Sequence, residues 1–326
     1  METRRPTNPA AEEILGRYFP ALDHGFVALV DYMGSDEDVE RAARVSYGYG
    51  TRRSQETRGL IRYLRRHRHT TPSEMVELKF HCAMPMFVAR QWIRHRMSSV
   101  NEYSGRYSLI PQLFYLPAAE HLQAQSQTNR QGRGGAALTA LHPQAVERWT
   151  RLREQAAATY EWLVGEDVAR ELARIDLPLS TYTQWYWKID LHNLFHFLSL
   201  RADPHAQYEI RVYARLIAGM VKRVAPLSFE AWFDYEYGGA HLSRAELAAL
   251  RTLVGVAGED LVGTAKRLSA AELVALGLAK READELREKL TAAPAIDDFD
   301  LDLAASVSPE HFAARLAEAV PRVDRP

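Results

Sequence analysis

The chain has 326 residues, of which 47% are hydrophobic and 25% are charged, a composition typical of globular proteins. Its 41 Lys and Arg residues nearly match its 42 Asp and Glu residues, and this balance argues against bulk binding to nucleic acid or to a membrane surface. The one cysteine, Cys82, excludes an intramolecular disulfide and favours a reducing compartment. No apolar run is long enough to span a membrane, and residues 1–19 lack the apolar core of a secretory signal. These features predict a cytoplasmic protein, and an enzyme is the favoured class.

Local patterns near the N-terminus predict a mixture of strand and helix. Residues 1–24 are expected to form a polar arm, because prolines interrupt them. Residues 25–32 are an apolar run of strand length. Ser35 and Asp38 have the spacing of a helix capping box, and the helix that they open is predicted to end near Gly48.

The next hundred residues alternate between periodic and polar segments. A second helix is predicted over residues 54–67, and the period-two alternation of residues 76–82 predicts a half-buried strand. Residues 86–95 have the pattern of a compact helix. The polar segment 96–107 has no apolar periodicity, and residues 123–136 are expected to form a loop because they are polar and contain glycines.

Helical periodicity dominates the rest of the chain. Helices are predicted over residues 142–172, 181–201 and 204–223, and the second of these is rich in aromatic residues. Beyond Gly238 the aromatic residues nearly vanish, while Ala, Leu, Glu and Arg become frequent. We therefore predict three parts: an N-terminal arm over 1–24, a core over 25–238 and an all-helical C-terminal appendage over 239–326.

The appendage has its own start signals for helices. Ser243 and Ser269 each precede an apolar run, and each is followed by a glutamate at the third position, which is a capping box. Residues 297–302 are expected to form an acidic linker, and Ser308, followed by proline, is expected to begin a final short helix.

The chemistry of the chain is concentrated in residues 94–107, where three arginines, a histidine, a glutamate and a serine occur within fourteen positions. Guanidinium groups present a planar fork of donors that suits phosphate, so the cluster indicates an anion site. The alternative is a solvated loop with local ion pairs, and charge alone leaves both open. Gln91 lies about one helical turn earlier and is expected to face the same site.

The spacing within this segment resembles the signature of flavin-dependent thymidylate synthases. Arg94-His95-Arg96 is followed, after seven residues, by Ser104, with Gln91-Trp92-Ile93 before it and Asn101 to Tyr107 around its end. Further stretches that resemble this family lie at 67–74, 177–179 and 198–207. The resemblance covers residues 25–238, and the appendage lies outside the usual core of the family.

The resemblance implies a fold, a reaction and an assembly. The expected fold is α+β, an antiparallel sheet with packed helices, followed here by the helical extension. The expected reaction is the reductive methylation of dUMP to dTMP, with methylenetetrahydrofolate as the carbon donor and FAD, reduced by NADPH, as the hydride source. The expected assembly is a homotetramer with active sites shared between subunits.

The resemblance also implies roles for individual residues. Arg201 is expected to be catalytic, because a fixed positive charge against uracil would favour ionisation at N3 and make C5 more nucleophilic. The residues that match dUMP-contacting positions are Gln91, Arg94, Glu102, Ser104, Gly105, Arg106, Arg174 and Arg201. The residues that match FAD-contacting positions are His69, Thr71, Arg94, His95, Arg96, Glu102, Asp190, His192 and His196.

Several of these residues have a second interpretation. Arg201 could simply end a helix, where a cation suits the helix dipole, and Thr71 with Glu74 has capping-box spacing. One common family pattern has Asn-x-Arg and then Asn where this chain has Asp190, His192 and His196, so contacts to FAD are expected to be rearranged there. The two histidines, four positions apart, could also be a metal pair, but no third ligand has suitable spacing, and we predict no metal.

Cys82 bears on the mechanism. Thymidylate synthases of the other kind attack uracil with a cysteine, whereas Cys82 lies on a predicted strand without a matching motif and is expected to be a buried core residue. The family route needs no enzyme nucleophile. Two other classes stay open: a flavin- or nucleotide-binding protein without turnover, and a nucleic-acid-binding or scaffolding protein that uses the appendage for interaction.

Overall fold

The computed structural model describes residues 7–45, 57–126, 132–257, 263, 267, 269–276, 278 and 280–321. The predicted helix end near Gly48 and the predicted helix start at 54 lie outside these residues. The strands are β1 Tyr18–Ala21, β2 Gly25–Met33, β3 Glu77–Pro85, β4 Ser99–Glu102, β5 Gln123–Gln125, β6 Arg133–Ala137 and β7 Tyr182–Asp190. The helices up to residue 232 are α1 Pro9–Glu12, α2 Asp36–Arg44, α3 Thr57–Arg66, α4 Thr71–Glu74, α5 Met86–Trp92, α6 His142–Gly165, α7 Arg170–Ala173, α8 Leu191–Arg201, α9 Tyr208–Val224 and α10 Pro226–Trp232. They are followed by α11 Arg244–Ala257, α12 Ala270–Ala275, α13 Lys280–Thr291 and α14 Pro309–Ala319.

A five-stranded antiparallel sheet organises the larger part of the chain, in the order β1-β2-β3-β7-β4. Phe80 of β3 lies opposite Trp187 of β7, and Cys82 lies opposite Trp185. All four side chains are buried, because alternate residues of a strand point to the same face. This arrangement confirms the predicted α+β class with an antiparallel sheet and packed helices.

The core is built around helix α9 and the aromatic residues beside it. Ile210, Tyr213 and Ile217 of α9 are fully buried. Trp92, at the end of α5, stacks on Phe197 of α8 with ring centroids 5.0 Å apart. These helices cover the sheet, and they fix the positions of the residues that follow α5 and of the residue that ends α8.

The predicted helix over residues 181–201 is wrong in its first half. Residues Tyr182–Asp190 form β7, and the helix α8 begins only at Leu191. The reason is visible in the burial of Trp185, Trp187 and Ile189, which alternate with more exposed residues. Aromatic residues also favour strands. The oxygen Oδ1 of Asp190 accepts the backbone N–H of Asn193 at 2.9 Å and so caps α8 directly after the strand.

Smaller predicted features are confirmed or corrected. The capping boxes at Ser35, Ser243 and Ser269 are present, whereas α4 begins at Thr71 with Thr70 as its cap and no side-chain capping bond. The predicted loop over 123–136 is wrong at both ends, which pair as β5 and β6. The predicted helix over 142–172 is interrupted after Gly165, and the polar segment 96–107 includes the short edge strand β4.

The structure draws domain boundaries that differ from the predicted ones. One compact unit combines Met1–Ala231 with Phe299–Pro326, and the other is Trp232–Asp298. The first 24 residues contribute β1 to the sheet. Beyond the acidic stretch, Phe312 of α14 packs on Phe26 with ring centroids 4.6 Å apart. Residues 299–321 therefore belong with the first unit, where Phe312 is buried.

The smaller unit is helical and has its own apolar interior. One cluster of buried residues in it consists of Ala249, Leu273, Leu278, Ala283 and Leu286. Lys289 pairs with Glu246 at 2.6 Å, beside the capping box of Ser243. Within the described residues of the chain, no helix is both long and apolar enough to cross a membrane.

Candidate functional site

A cavity of about 490 Å³ opens where the segment after α5 meets helix α8; we call it the Arg201 cavity. It brings together Arg201 and the triplet Arg94-His95-Arg96, which are separated by about a hundred positions in the sequence. Its lining residues are Arg94, His95, Arg96, Met97, Ile189, Asn193, His196, Leu200 and Arg201. The predicted FAD residue His196 is therefore also at this cavity.

The charged residues that line the Arg201 cavity are all positive. Its lining includes three arginines and no Asp or Glu. Neither Arg94 nor Arg96 makes a hydrogen bond or an ion pair with any residue in the part of the chain that the structure describes, and both are exposed. Unneutralised guanidinium groups that share a concave surface attract anions, and their forked donors suit phosphate. The geometry therefore supports an anion site over a solvated loop.

Arg201 and His95 are in direct contact. The Nε–H of Arg201 donates to Nε2 of His95 at 3.0 Å. Because arginine has no acceptor, His95 must accept through a lone pair, which requires a neutral ring with its proton on Nδ1. Phe197 lies edge-on to the His95 ring at 5.0 Å between centroids. The contact holds the guanidinium at the end of α8, where a cation also suits the helix dipole.

The surroundings of His95 keep its ring neutral. Burial, the positive charge of Arg201 and the neighbouring His196 together lower the pKa of His95 from 6.5 to about 4. The rings of His95 and His196 lie 5.8 Å apart. Burial also lowers the pKa of the Arg201 guanidinium, which nevertheless stays charged because arginine loses its proton only at extreme pH.

Asp190 and His192, which are predicted to contact FAD, have the following surroundings in the structure. Both carboxylate oxygens of Asp190 serve Asn193, which donates its backbone N–H at 2.9 Å and its Nδ2–H at 2.7 Å. Asn193, which the sequence analysis missed, lines the cavity itself. Its position three residues after an Asp at the start of a helix is the signal that could have found it. Nδ1 of His192 is buried without a hydrogen-bond partner among the described residues.

A second cluster forms around Gly105, which is buried. A Cβ added to Gly105 would lie 2.6 Å from Cδ1 of Ile110 and 3.1 Å from Cδ of Arg174, so Gly105 and Arg174 touch. Arg106 is exposed and pairs with Glu171 at 2.8 Å, and Oγ of Ser104 accepts the backbone N–H of Arg106 at 3.3 Å. The predicted dUMP residues at positions 104, 105, 106 and 174 are thus neighbours, and they are not among the residues that line the Arg201 cavity.

The remaining predicted residues are not among those that line the Arg201 cavity. Glu102, on the edge strand β4, accepts a hydrogen bond from Oγ1 of Thr183 at 2.7 Å. Oε1 of Gln91 is buried without a hydrogen-bond partner among the described residues, so a ligand donor could satisfy it. His69 is exposed beside Tyr63, and Thr71 begins α4. No group of three or more potential metal ligands occurs within the described ranges.

Comparison with known proteins identifies similar sequences over most of the chain. The family model described as thymidylate synthase complementing protein matches residues 28–227. The flavin-dependent thymidylate synthase of Gluconobacter oxydans is 52% identical over 294 residues, covering 89% of this chain and 93% of that protein. The enzyme of the same name from Rickettsia bellii is 45% identical and covers 88% of this chain and 98% of its own. An alignment of that length must continue beyond Gly238.

The chain is also similar to solved structures of a nucleotide methylase. The UMP/dUMP methylase PolB from Streptomyces cacaoi, crystallised with 5-Br dUMP, has 35% sequence identity and a TM-score of 0.61. The match covers 67% of this chain and 97% of that one. The same protein with 5-Br UMP gives a TM-score of 0.61 over 68% of this chain.

Proposed function

Because the chain belongs to the flavin-dependent thymidylate synthase family and is an enzyme of the methyltransferase class, we propose that it converts dUMP to dTMP by reductive methylation. Methylenetetrahydrofolate would donate the carbon, and FAD reduced by NADPH would donate the hydride. The products besides dTMP would be tetrahydrofolate and NADP⁺; the proton lost from C5 of uracil and one proton from solvent would balance the two N–H groups restored on the folate. The observation that carries the proposal is Arg201, fixed by His95 in a cavity whose charged lining residues are arginines.

The surroundings of Cys82 support a route without an enzyme nucleophile. Cys82 is the one cysteine of the chain, and its side chain is fully buried in the middle of the sheet. Burial raises the pKa of the Cys82 thiol well above its ordinary value, so the thiolate that would attack uracil does not form there. Activation of the pyrimidine must then be electrostatic.

Arg201 is the residue suited to that activation. Its Nε–H is committed to His95, which leaves the two terminal nitrogens of the guanidinium for a ligand. A fixed cation beside a uracil ring stabilises the negative charge that develops when N3 loses its proton, and that charge makes C5 more nucleophilic. Oε1 of Gln91, buried without a hydrogen-bond partner among the described residues, is a further candidate acceptor for a nucleotide donor.

The residues of the Arg201 cavity fit a flavin dinucleotide. The side chains of Arg94 and Arg96 lack partners among the described residues and suit a diphosphate, while Asn193 and His196 offer further polar groups. When bound and reduced, FAD would supply the hydride, and the protein would supply the binding and orientation. His95 would contact the flavin through its Nδ1 side, and Asp190 would act through Asn193. His69, Thr71, Glu102 and His192 are further candidates from the family pattern.

The split between the two groups of residues supports a shared active site. Ser104, Gly105, Arg106 and Arg174 form one cluster, and the Arg201 cavity is the other. We propose that the chain assembles as a homotetramer in which the first cluster of one subunit completes the cavity of another. A heterologous arrangement of this kind gives every site residues from two chains. The cytoplasmic location likewise stays a prediction.

The test is dTMP formation, read by chromatography under low oxygen, from dUMP, methylenetetrahydrofolate, FAD and NADPH, each omitted in turn. We expect product only in the complete mixture. Arg201→Ala should retain bound flavin and lose nearly all product, whereas Arg148→Ala, an exposed arginine of α6, should behave as the parent. Product without FAD, or full activity of Arg201→Ala, would contradict the mechanism. A flavin-loaded parent without product would support the binding protein that lacks turnover.

A further inference from the structure

A second cavity shares Arg94 and Arg96 with the Arg201 cavity. It has a volume of about 460 Å³ and is lined by Arg90, Ile93, Arg94 and Arg96; we call it the Arg90 pocket. Two of the four lining residues thus belong to both cavities. The family pattern gives Arg90 no role. The volume is within the range of small-molecule sites, so the pocket can hold more than a single ion.

The three arginines of the Arg90 pocket are not neutralised. None of their side chains makes a hydrogen bond or an ion pair with a residue in the described ranges, and the pocket has no acidic lining residue. Arg90 and Arg94 are four positions apart at the end of α5, and like charges at that spacing repel each other. A cluster of this kind is destabilising unless an anion joins it.

Helix α3 offers a contrast within the same chain. Arg58 and Arg62 have the same four-residue spacing, but the carboxylate of Glu230 pairs with them at 2.6 and 2.7 Å. There the protein supplies its own anion. At the Arg90 pocket none of the described residues supplies an anion, which suggests that the anion comes from a ligand.

The apolar part of the Arg90 pocket narrows the class of ligand. Ile93 lines the pocket beside the arginines and is 44% exposed, so it presents an aliphatic surface to a ligand. An aliphatic surface beside guanidinium groups suits a molecule with a phosphate and a flat ring or sugar, whereas inorganic phosphate alone would leave Ile93 uncovered. We propose that the Arg90 pocket binds a phosphate group of a nucleotide next to the ligand of the Arg201 cavity.

The inference rests on the proposed function, because that function brings several phosphorylated nucleotides to one site. The group that these nucleotides share is the phosphate ester, and three of them could place it in the pocket: FAD, the nicotinamide reductant and dUMP. The position of Arg94 and Arg96 in both cavities means that one ligand could span them or two ligands could lie side by side. Binding measurements separate these sources without requiring turnover.

The experiment compares the full chain with Arg90→Gln and with the matched control Arg148→Gln, which removes an exposed arginine of α6. Affinities for FAD, NADP⁺ and dUMP are measured by titration calorimetry, and riboflavin serves as a flavin without phosphate. We expect Arg90→Gln to weaken at least one phosphorylated ligand about tenfold. Riboflavin binding and the midpoint of thermal unfolding should not change, and Arg148→Gln should match the parent throughout.

The pattern of losses identifies the source. A loss for NADP⁺ alone assigns the pocket to the reductant, and a loss for FAD alone assigns it to the flavin diphosphate. Unchanged affinity for all three nucleotides overturns the proposal, as does an equal loss for riboflavin, which would show a general disturbance. If the parent binds these nucleotides in an Arg90-dependent way but makes no dTMP, the proposed function fails while the pocket stands.

Discussion

Arg201 donates its Nε–H to Nε2 of His95 across 3.0 Å, although 106 positions separate the two residues in the chain. The bond fixes the tautomer of the imidazole and the plane of the guanidinium at the same time. Phe197, packed edge-on against His95, restrains the ring from the core side. In the proposed reaction, His95 is thus a positioning residue that acts through Arg201.

Two replacements at His95 separate orientation from simple packing. His95→Gln can place an acceptor near the position of Nε2, whereas His95→Phe keeps a ring and removes the acceptor. We expect His95→Phe to lower kcat for dTMP formation about tenfold to a hundredfold, because small misplacements of a catalytic group are costly. His95→Gln should recover much of that loss. Equal kcat values in the two variants, with only KM altered, would contradict the positioning role.

The protonation of His95 can be followed directly by NMR of its ring protons in the protein without ligands. Since the pKa of His95 is lowered from 6.5 to about 4, the ring should stay neutral down to about pH 4. Between pH 6.5 and 4 the unfolded chain binds more protons at this residue than the folded chain, so this group reduces folding stability as the pH falls. Arg201→Met should raise the pKa of His95, though not fully to 6.5, because burial, the largest cause, is retained. An unchanged titration in that variant would show that Arg201 has no electrostatic effect on the ring.

Complementation tests the shared active site. Arg174→Ala and Arg201→Ala should each be inactive alone. If one subunit supplies Arg201 and another supplies Arg174, unfolding and refolding an equal mixture should restore about a quarter of parental sites, since each site needs one intact copy of both. The control is a mixture of the Arg201→Ala protein with a second variant of the same cavity, such as Asn193→Ala, which should not complement. Lack of recovery in the first mixture, with tetramers present, would place both arginines in one chain.

Gly105 should tolerate no side chain. The Cβ of an alanine there would lie 2.6 Å from Cδ1 of Ile110, which is buried, and 3.1 Å from Cδ of Arg174. We expect Gly105→Ala to lower the free energy of unfolding by about 1–3 kcal/mol, as overpacking does. It should also weaken dUMP binding, because Arg174 is displaced. Adding Ile110→Val, which removes Cδ1, should recover part of the stability, and denaturant unfolding measures both.

Phe312 tests whether the last helix belongs with the sheet. Its side chain is 4% exposed, and its ring packs on Phe26 and, with centroids 5.9 Å apart, on Tyr18. Phe312→Ala should lower the free energy of unfolding by about 3–5 kcal/mol. Glu318→Ala, an exposed change on the same helix, should have little effect. If the two variants have the same stability, the tail would contribute nothing to the larger unit.

Local signals in the sequence predict many of the helices and strands correctly. The capping pairs at Ser35 and Ser269 and the alternation before Cys82 depend on neighbours within a few residues, and the structure shows them as predicted. Helix and strand were confused over 182–190, because that strand is followed at once by a helix and its partner β3 is about a hundred residues earlier. A single pattern of apolar residues cannot show where such a partner lies.

The candidate site likewise has features that the sequence predicts and features that only the tertiary structure shows. The triplet at 94–96 and Arg201 were recognisable from the sequence, but their contact depends on the packing of α5 against α8, which no local spacing encodes. Asp190 has a structural role as the cap of α8, which its match to a cofactor position did not indicate.

The position of Cys82 has a practical consequence. Cys82 is 0% exposed, and its strand β3 lies between β2 and β7. Alkylating reagents should therefore reach the thiol only when the sheet opens. The native protein then behaves as if it had no cysteine, and a cysteine introduced at Arg90 or Met97 would be labelled alone. The rate at which Cys82 itself reacts would in turn report how often the centre of the sheet unfolds.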